Sequence, residues 1–217
     1  TYLSVKCREM LNEAGLKNCK IFATNALDEY LITELERQGC QVDSYGVGDA
    51  IATSKHNPCF GNVFKLVQVD DMPVLKRSEE TTKLINPGFQ ITYRIIQNGR
   101  FKVDVTCLRG DNLSNDIEAG KTITLRDERD RFKTMTFEEG KYEFRTLQQQ
   151  IVKNGEITYQ DRTIQEKQAY YKENLAHLDD SQKRLINPHY YKCDISDALY
   201  DLKNKLIDNL VKEIEQL

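Results

Sequence analysis

Residues 20–48, KIFATNALDEYLITELERQGCQVDSYGVG, decide how the rest of the chain is read. Lys20 to Thr24 is a short apolar run of strand type, and in the stretch from Asp28 to Gln38 the residues Leu31, Ile32 and Leu35 share one face of a helix. Asp28 and Glu29 fall in the first turn, where the helix dipole favours negative charge, and Gly39 offers the left-handed backbone that ends a helix. Gln41 to Val47 then returns as a second strand. Strand, helix and strand within about 30 residues predict a βαβ unit with two parallel strands.

Upstream of this unit, Leu3, Val5, Met10, Leu11 and Ala14 form an imperfect helical face closed by Gly15. Downstream, from Asn62 to about Tyr159, β-branched and aromatic residues gather in short pieces at 63–69, 90–96, 101–108, 121–125 and 140–147. Asn98-Gly99 and Asn154-Gly155 are hairpin signals of the type I′ kind. Beyond Asp161 the pattern turns helical. Thr163 and Glu166 make a capping box ahead of 164–178, and Ser196 caps a final helix running to Leu217. Leu199, Leu202, Leu206, Leu210 and Ile214 line one stripe of that helix, which reads as a docking face. The expectation is an α/β chain in three parts: a βα segment at 1–62, a β-rich region at 63–160 and a helical tail at 161–217.

The bulk numbers fit a folded, water-exposed chain. The 217 residues are 39% hydrophobic and 30% charged, and 31 basic against 34 acidic side chains leave a net charge of −3 with the signs mixed. That balance gives no footprint for a nucleic acid, and no apolar run approaches the roughly 20 residues that span a bilayer. The start, Thr1-Tyr2-Leu3-Ser4, lacks a signal-peptide pattern, so the expected compartment is the cytoplasm. Six cysteines with no C-x-x-C pair read as reduced thiols. The chain opens without methionine on an already helical pattern, as the middle or end of something larger would.

Chemistry concentrates where the second parallel strand ends, at Tyr45-Gly46-Val47-Gly48-Asp49. Glycines there let the backbone turn and present bare N–H groups to a phosphate, and ligands of βα folds bind at the C-terminal ends of strands. Thr24-Asn25 occupies the equivalent place on the preceding strand. Taken alone, a G-x-G is common, and a tight turn made by two glycines is the plainer account of it. Thr53-Ser54-Lys55-His56 adds hydroxyls and a cation; His56 reads as a solvated loop histidine, with general-base duty the alternative. Lys76-Arg77-Ser78 and Lys83 put three cations ahead of Asn86-Pro87-Gly88, a solvated turn or an anion contact. Asp104, Asp111 and Asp116 are too scattered to make a metal site, and no G-x-S-x-G nucleophile elbow occurs. These residues describe a phosphate-binding βα piece with a β-rich appendage.

Several linked blocks together are more specific. Asn25-Ala26-Leu27-Asp28-Glu29-Tyr30-Leu31-Ile32, Asp43-Ser44-Tyr45-Gly46-Val47-Gly48, Thr53-Ser54-Lys55 and Val63-Phe64-Lys65-Leu66-Val67 resemble the nicotinate phosphoribosyltransferases in order and spacing. The resemblance continues through Pro73-Val74-Leu75-Lys76-Arg77-Ser78, Lys83, Pro87-Gly88, Tyr93-Arg94, Asn187-Pro188-His189-Tyr190-Tyr191 and Leu199-Tyr200-Asp201-Leu202-Lys203.

It implies part of a type II phosphoribosyltransferase βα-barrel and a cytosolic enzyme of NAD salvage. That enzyme joins nicotinate to phosphoribosyl pyrophosphate with coupled ATP hydrolysis and Mg²⁺, and a homodimer is expected of the complete protein. By position, Thr24 and Asn25 would border the ribose and phosphate, and Gly46, Val47 and Gly48 would bind the 5′-phosphate through the backbone. The family's phosphorylatable histidine, nicotinate contacts and acidic strand end would lie upstream of Thr1, so no catalytic residue or metal ligand is assigned here and the isolated chain is expected to be inactive. Thr24 stands where serine is usual, and Asp49 puts a carboxylate beside the proposed phosphate. The alternatives are a related nicotinamide or quinolinate phosphoribosyltransferase, or a non-catalytic binding or assembly fragment.

Overall fold

A computed structural model describes residues 1–76 and 84–215, with side chains as far as Lys212; Arg77, Ser78 and Lys83 of the cationic turn, and the side chain of Ile214, lie outside the described residues. The chain divides into two compact units, Thr1–Val63 and Phe64–Leu217.

The first unit follows the order α1 (Tyr2–Glu13), β1 (Phe22–Thr24), α2 (Glu29–Arg37), β2 (Ser44–Gly46) and α3 (Asp49–Ala52). β1 and β2 pair in parallel, with Phe22 opposite Ser44 and Thr24 opposite Gly46. Asp28 is the N-cap of α2, outside its first turn, and its carboxylate accepts from the Leu31 amide at 2.9 Å. No closed barrel exists among the described residues: the parallel sheet has two strands.

One carboxylate ties the unit together. Asp43, just before β2, accepts from the Ile21 amide at 2.8 Å, from Lys20 Nζ at 3.0 Å and from Arg8 Nη2 at 2.7 Å, so it joins α1 to the entry of β1. The Ile21 N–H, followed by Lys20 and Arg8, holds the Asp43 carboxyl below its ordinary value of 3.8. A depressed folded value means that this stabilisation is complete above the unfolded value and is lost as pH falls through the folded one. The protection of the β1 and β2 amides against exchange, taken relative to the intrinsic rate at each pH, is therefore expected to fall below about pH 4. Asp43→Asn should flatten that acid limb; an identical limb in the variant would show that Asp43 is not its source.

The second unit holds the hydrophobic core. It begins with β3 (Gln68–Val69) and β4 (Met72–Pro73), then the long strands β5 (Gln90–Gln97) and β6 (Arg100–Leu108). Asn98 and Gly99, both at positive φ, form their two-residue turn, as the sequence predicts. There follow α4 (Asn112–Glu118), β7 (Ile123–Arg126), β8 (Thr134–Phe137), β9 (Glu143–Thr146), β10 (Val152–Lys153), β11 (Glu156–Ile157), α5 (Ile164–His177), β12 (Cys193–Ile195) and α6 (Asp197–Glu215). The main sheet runs β12-β6-β5-β9, with β12 parallel to β6 and the other pairs antiparallel.

Alternation along β5 and β6 sorts their residues. Ile91, Tyr93, Ile95, Val103, Val105 and Cys107 face a core closed by Ile117 of α4, Ile123 and Leu125 of β7 and Phe137 of β8. On the opposite face Arg94 forks onto Asp104 at 2.7 and 2.6 Å, and the Tyr191 hydroxyl donates to the same carboxylate at 2.8 Å. The register slips between Ile95 and Ile96: Ile95 lies opposite Val103 and Ile96 opposite Phe101, so Lys102 is an extra residue in β6. That bulge turns Phe101 onto the Arg94 face, where its ring stacks on His177 of α5 with centroids 5.0 Å apart.

Several expectations change here. The run at 63–69 forms strand only at Gln68–Val69. The C-terminal stretch is not wholly helical, because β12 interrupts it and pairs with β6. Asp104, Asp111 and Asp116 have structural partners: Arg94, the α4 N-terminus through the Ser114 amide at 2.7 Å, and Lys121 at 3.0 Å. Of the α6 stripe, Leu199 is fully buried and Leu202, Leu206 and Leu210 are half-buried, so its first turn serves the core of this chain.

Candidate functional site

In the first unit Thr24, Asn25, Ala26, Leu27, Gly46, Gly48, Asp49, Ala50 and Lys55 surround one cavity of about 270 Å³ at the C-terminal ends of β1 and β2. Each wall has a local cause. The chain leaving β1 passes through positive φ at Asn25 (95°) and Ala26 (50°), conformations that cost a side-chain-bearing residue of order 1–3 kcal/mol and persist only where flanking structure imposes them. Here β1 fixes one end, and the buried Leu27 with the Asp28 cap fixes the other.

The two glycines do different work. A Cβ built on Gly46 would stand 2.7 Å from the tip of the exposed Phe22 ring and 3.1 Å from Thr24 Oγ1, so a side chain there would have to displace that ring. A Cβ on Gly48 would meet nothing within 4 Å. Beyond Gly48, Thr53 Oγ1 donates to the Asp49 carbonyl at 2.7 Å, Ser54 turns at φ 49°, and the Lys55 amide donates to the Ala50 carbonyl at 3.2 Å, which brings Lys55 back to the cavity.

Lys55 and His56 converge on one carboxylate. Lys55 Nζ and His56 Nε2 each lie 3.7 Å from Asp28 Oδ2. The Leu31 N–H, more than Lys55 or His56, holds the Asp28 carboxyl below its ordinary value. His56 also sets its ring edge-on to Tyr30 at 5.0 Å, so it is packed as well as solvated. The Asn25 side chain, bare backbone at Gly48, one ammonium, and the Thr24 hydroxyl once released from the Gly46 carbonyl to which it donates at 3.4 Å suit an anionic ligand. No Ser, Cys or His lines the cavity, and among the described residues no group of three His, Cys, Asp or Glu able to hold a metal ion is present.

Of the five residues expected to bind ligand, the structure brings Thr24, Asn25, Gly46 and Gly48 to the cavity wall, while Val47 is not among the lining residues. Lys55 lines the wall without having been assigned to the site. Its signal in the sequence was a lone cation in a loop of hydroxyls, which spacing alone could not aim.

Comparison with known proteins gives a consistent picture. Residues 89–203 match the family described as nicotinate phosphoribosyltransferase C-terminal domain. A nicotinate phosphoribosyltransferase of Bacillus subtilis (strain 168) is 30% identical over 230 residues, covering 99% of this chain and 44% of the relative. One from Dictyostelium discoideum is 25% identical over 232 residues, covering 99% of this chain and 38% of the relative. The crystal structure of human nicotinic acid phosphoribosyltransferase superposes with a TM-score of 0.60 over 93% of this chain and 36% of that one, at 20% identity, a likeness of fold. The chain thus spans less than half the length of each of these relatives. With its β-sheet unit matched over more than half of all its residues, the chain belongs to the nicotinate phosphoribosyltransferase family.

Proposed function

We propose that this chain supplies the phosphoribosyl side of an enzyme that joins nicotinate to phosphoribosyl pyrophosphate, releasing nicotinate mononucleotide and pyrophosphate. The observation that carries the reading is the convergence of Thr24, Asn25, Gly46, Gly48 and Lys55 on one cavity at the ends of two parallel strands. In the same proposal β1 and β2 are two strands of a larger βα-barrel. Parallel sheets are normally covered on both faces, yet Phe22 is 63% exposed here.

The chemistry asks little of the protein by way of acid or base. Glycosyl transfer through an oxocarbenium-like state is helped by holding the sugar in place and by favouring departure of pyrophosphate. A contact to the non-reacting 5′-phosphate that is equal in ground and transition states holds the phosphoribosyl group in the site, which is the task assigned to this cavity. Asp49 contributes nothing to that step; it stands as a local negative charge that a cation must offset.

A requirement for Mg²⁺ and for ATP belongs to the proposal through the resemblance alone. The described residues do not form a cage for a divalent ion, and no step is routed through one. The complete polypeptide is proposed to be a cytoplasmic homodimer; among the described residues no helix is long and apolar enough to cross a membrane.

Base choice and completeness are tested together. The full-length polypeptide, supplied in turn with nicotinate, nicotinamide and quinolinate plus phosphoribosyl pyrophosphate, is expected to form mononucleotide from nicotinate at the highest kcat/KM. Residues 1–217 by themselves are expected to form none. Turnover by the 217-residue chain would place the essential groups within it, and preference for another base would move the protein to a sister activity.

A further inference from the structure

We propose that Lys55 is the side chain that binds the 5′-phosphate in the cavity of the first unit, with Asp28 as the residue that positions it. This rests on the phosphate reading above and adds to it the identity of the cation. A phosphate monoester carries about −1.5 to −2 charges at neutral pH, and Asp49 on the same wall adds another negative charge. Among the residues lining the cavity, Lys55 alone is cationic. Backbone N–H groups and the Thr24 and Asn25 side chains can shape such a site, but they cannot neutralise it.

The geometry keeps the ammonium available. Its Nζ lies 3.7 Å from Asp28 Oδ2, near enough for attraction and too far for a hydrogen bond, so its donors are not consumed by that carboxylate. The Lys55 side chain is 56% exposed, whereas that of Asp28 is 16% exposed. Asp28 is itself anchored, because its Oδ1 accepts from the Leu31 amide and caps α2. The carboxylate therefore acts as a fixed post that holds a long, otherwise mobile side chain toward the cavity. His56 Nε2 lies 3.7 Å from the same Oδ2 and is not among the cavity-lining residues.

Steady-state kinetics of the full-length enzyme, with ribose 5-phosphate as a competing probe for the 5′-phosphate subsite, test this. Lys55→Met should raise both the KM for phosphoribosyl pyrophosphate and the inhibition constant of ribose 5-phosphate about 10- to 100-fold, the range of one charge-assisted contact. The kcat should stay within about threefold, because the contact is equal in ground and transition states. Lys55→Arg should restore most of the affinity. Asp28→Asn, which keeps a good N-cap and removes the charge, should raise the same KM less than Lys55→Met does. Unchanged affinity in Lys55→Met beside strong loss in Gly48→Glu would overturn the role of Lys55 and leave the phosphate site standing. Equal losses in Lys55→Met and Lys55→Arg, with kcat falling too, would make Lys55 a structural residue. No loss in either Lys55→Met or Gly48→Glu would remove the phosphate reading itself.

Discussion

Replacing Gly48 with glutamate is expected to weaken phosphoribosyl pyrophosphate binding by more than about 100-fold while leaving the fold intact. The backbone at Gly48 has φ −108° and ψ −90°, and an added Cβ meets no atom within 4 Å, so a side chain has room, and Gly48→Ala reports any cost of the backbone change by itself. What changes is the charge on the wall of a cavity of about 270 Å³ that already includes Asp49. Two unit charges about 4 Å apart repel by roughly 4 kcal/mol at an effective dielectric constant near 20, and each 1.4 kcal/mol is about tenfold in affinity. Gly48→Ala, with the same backbone change and no charge, is expected to bind nearly as well as the parent. Calorimetric titration of the full-length protein distinguishes the two. Equal affinity for the parent and Gly48→Glu would mean that the phosphate binds elsewhere.

The second large effect concerns stability. Phe137→Ala should destabilise the Phe64–Leu217 unit by about 3–5 kcal/mol, the usual cost of emptying a fully buried aromatic position. Phe137 is 1% exposed and closes β8 over Ile123, Leu125 and the β5-β6 face, with Tyr142 at a centroid distance of 5.9 Å. For a unit of this size, that corresponds to a fall in melting temperature of order 10 °C. Phe132, five residues earlier, is 99% exposed, and Phe132→Ala should shift stability by less than about 0.5 kcal/mol. Urea unfolding of both variants decides the matter: comparable losses, or none in Phe137→Ala, would contradict the packing of β7 and β8 on the sheet.

Phe132 and Phe137 also show where sequence reading stops. Both sit in a short stretch between turns, and nothing in their neighbours says which ring is inside. The sorting comes from the β7-β8 pairing, in which Ile123 lies opposite Phe137 and Leu125 opposite Met135. Phe101 makes the same point within a strand that the sequence does predict. Strict alternation would send it to the face of Val103 and Val105, and the extra residue at Lys102 sends it to the other. Asp104, Asp111 and Asp116 could be excluded as a metal site from their spacing, but their partners could not be named, since Tyr191 reaches Asp104 across 87 positions and Ser196 reaches Asp111 across 85.

At the candidate site the division is similar. The glycines after β2 and the Thr24-Asn25 corner after β1 were legible because a strand end followed by glycine or a small polar residue is a local pattern. Lys55 was visible only as a cation in a loop. Its place on the cavity wall depends on the positive φ at Ser54 and the return of its amide to Ala50, a backbone choice that no residue type dictates.

The sequence by itself determined the elements whose signals are contained within a few residues. These include the cap at Thr163, the Asn98-Gly99 hairpin, the strand–helix–strand of the first unit and the linked blocks that mark the family. Tertiary structure alone decided that β12 returns to pair with β6, that the aspartates are structural and that Lys55 joins the glycine loop. The physical reason is the range of the forces. Capping and turn geometry act between neighbours three or four residues apart, whereas strand pairing and ion pairing are settled only when distant segments compete for the same buried surface.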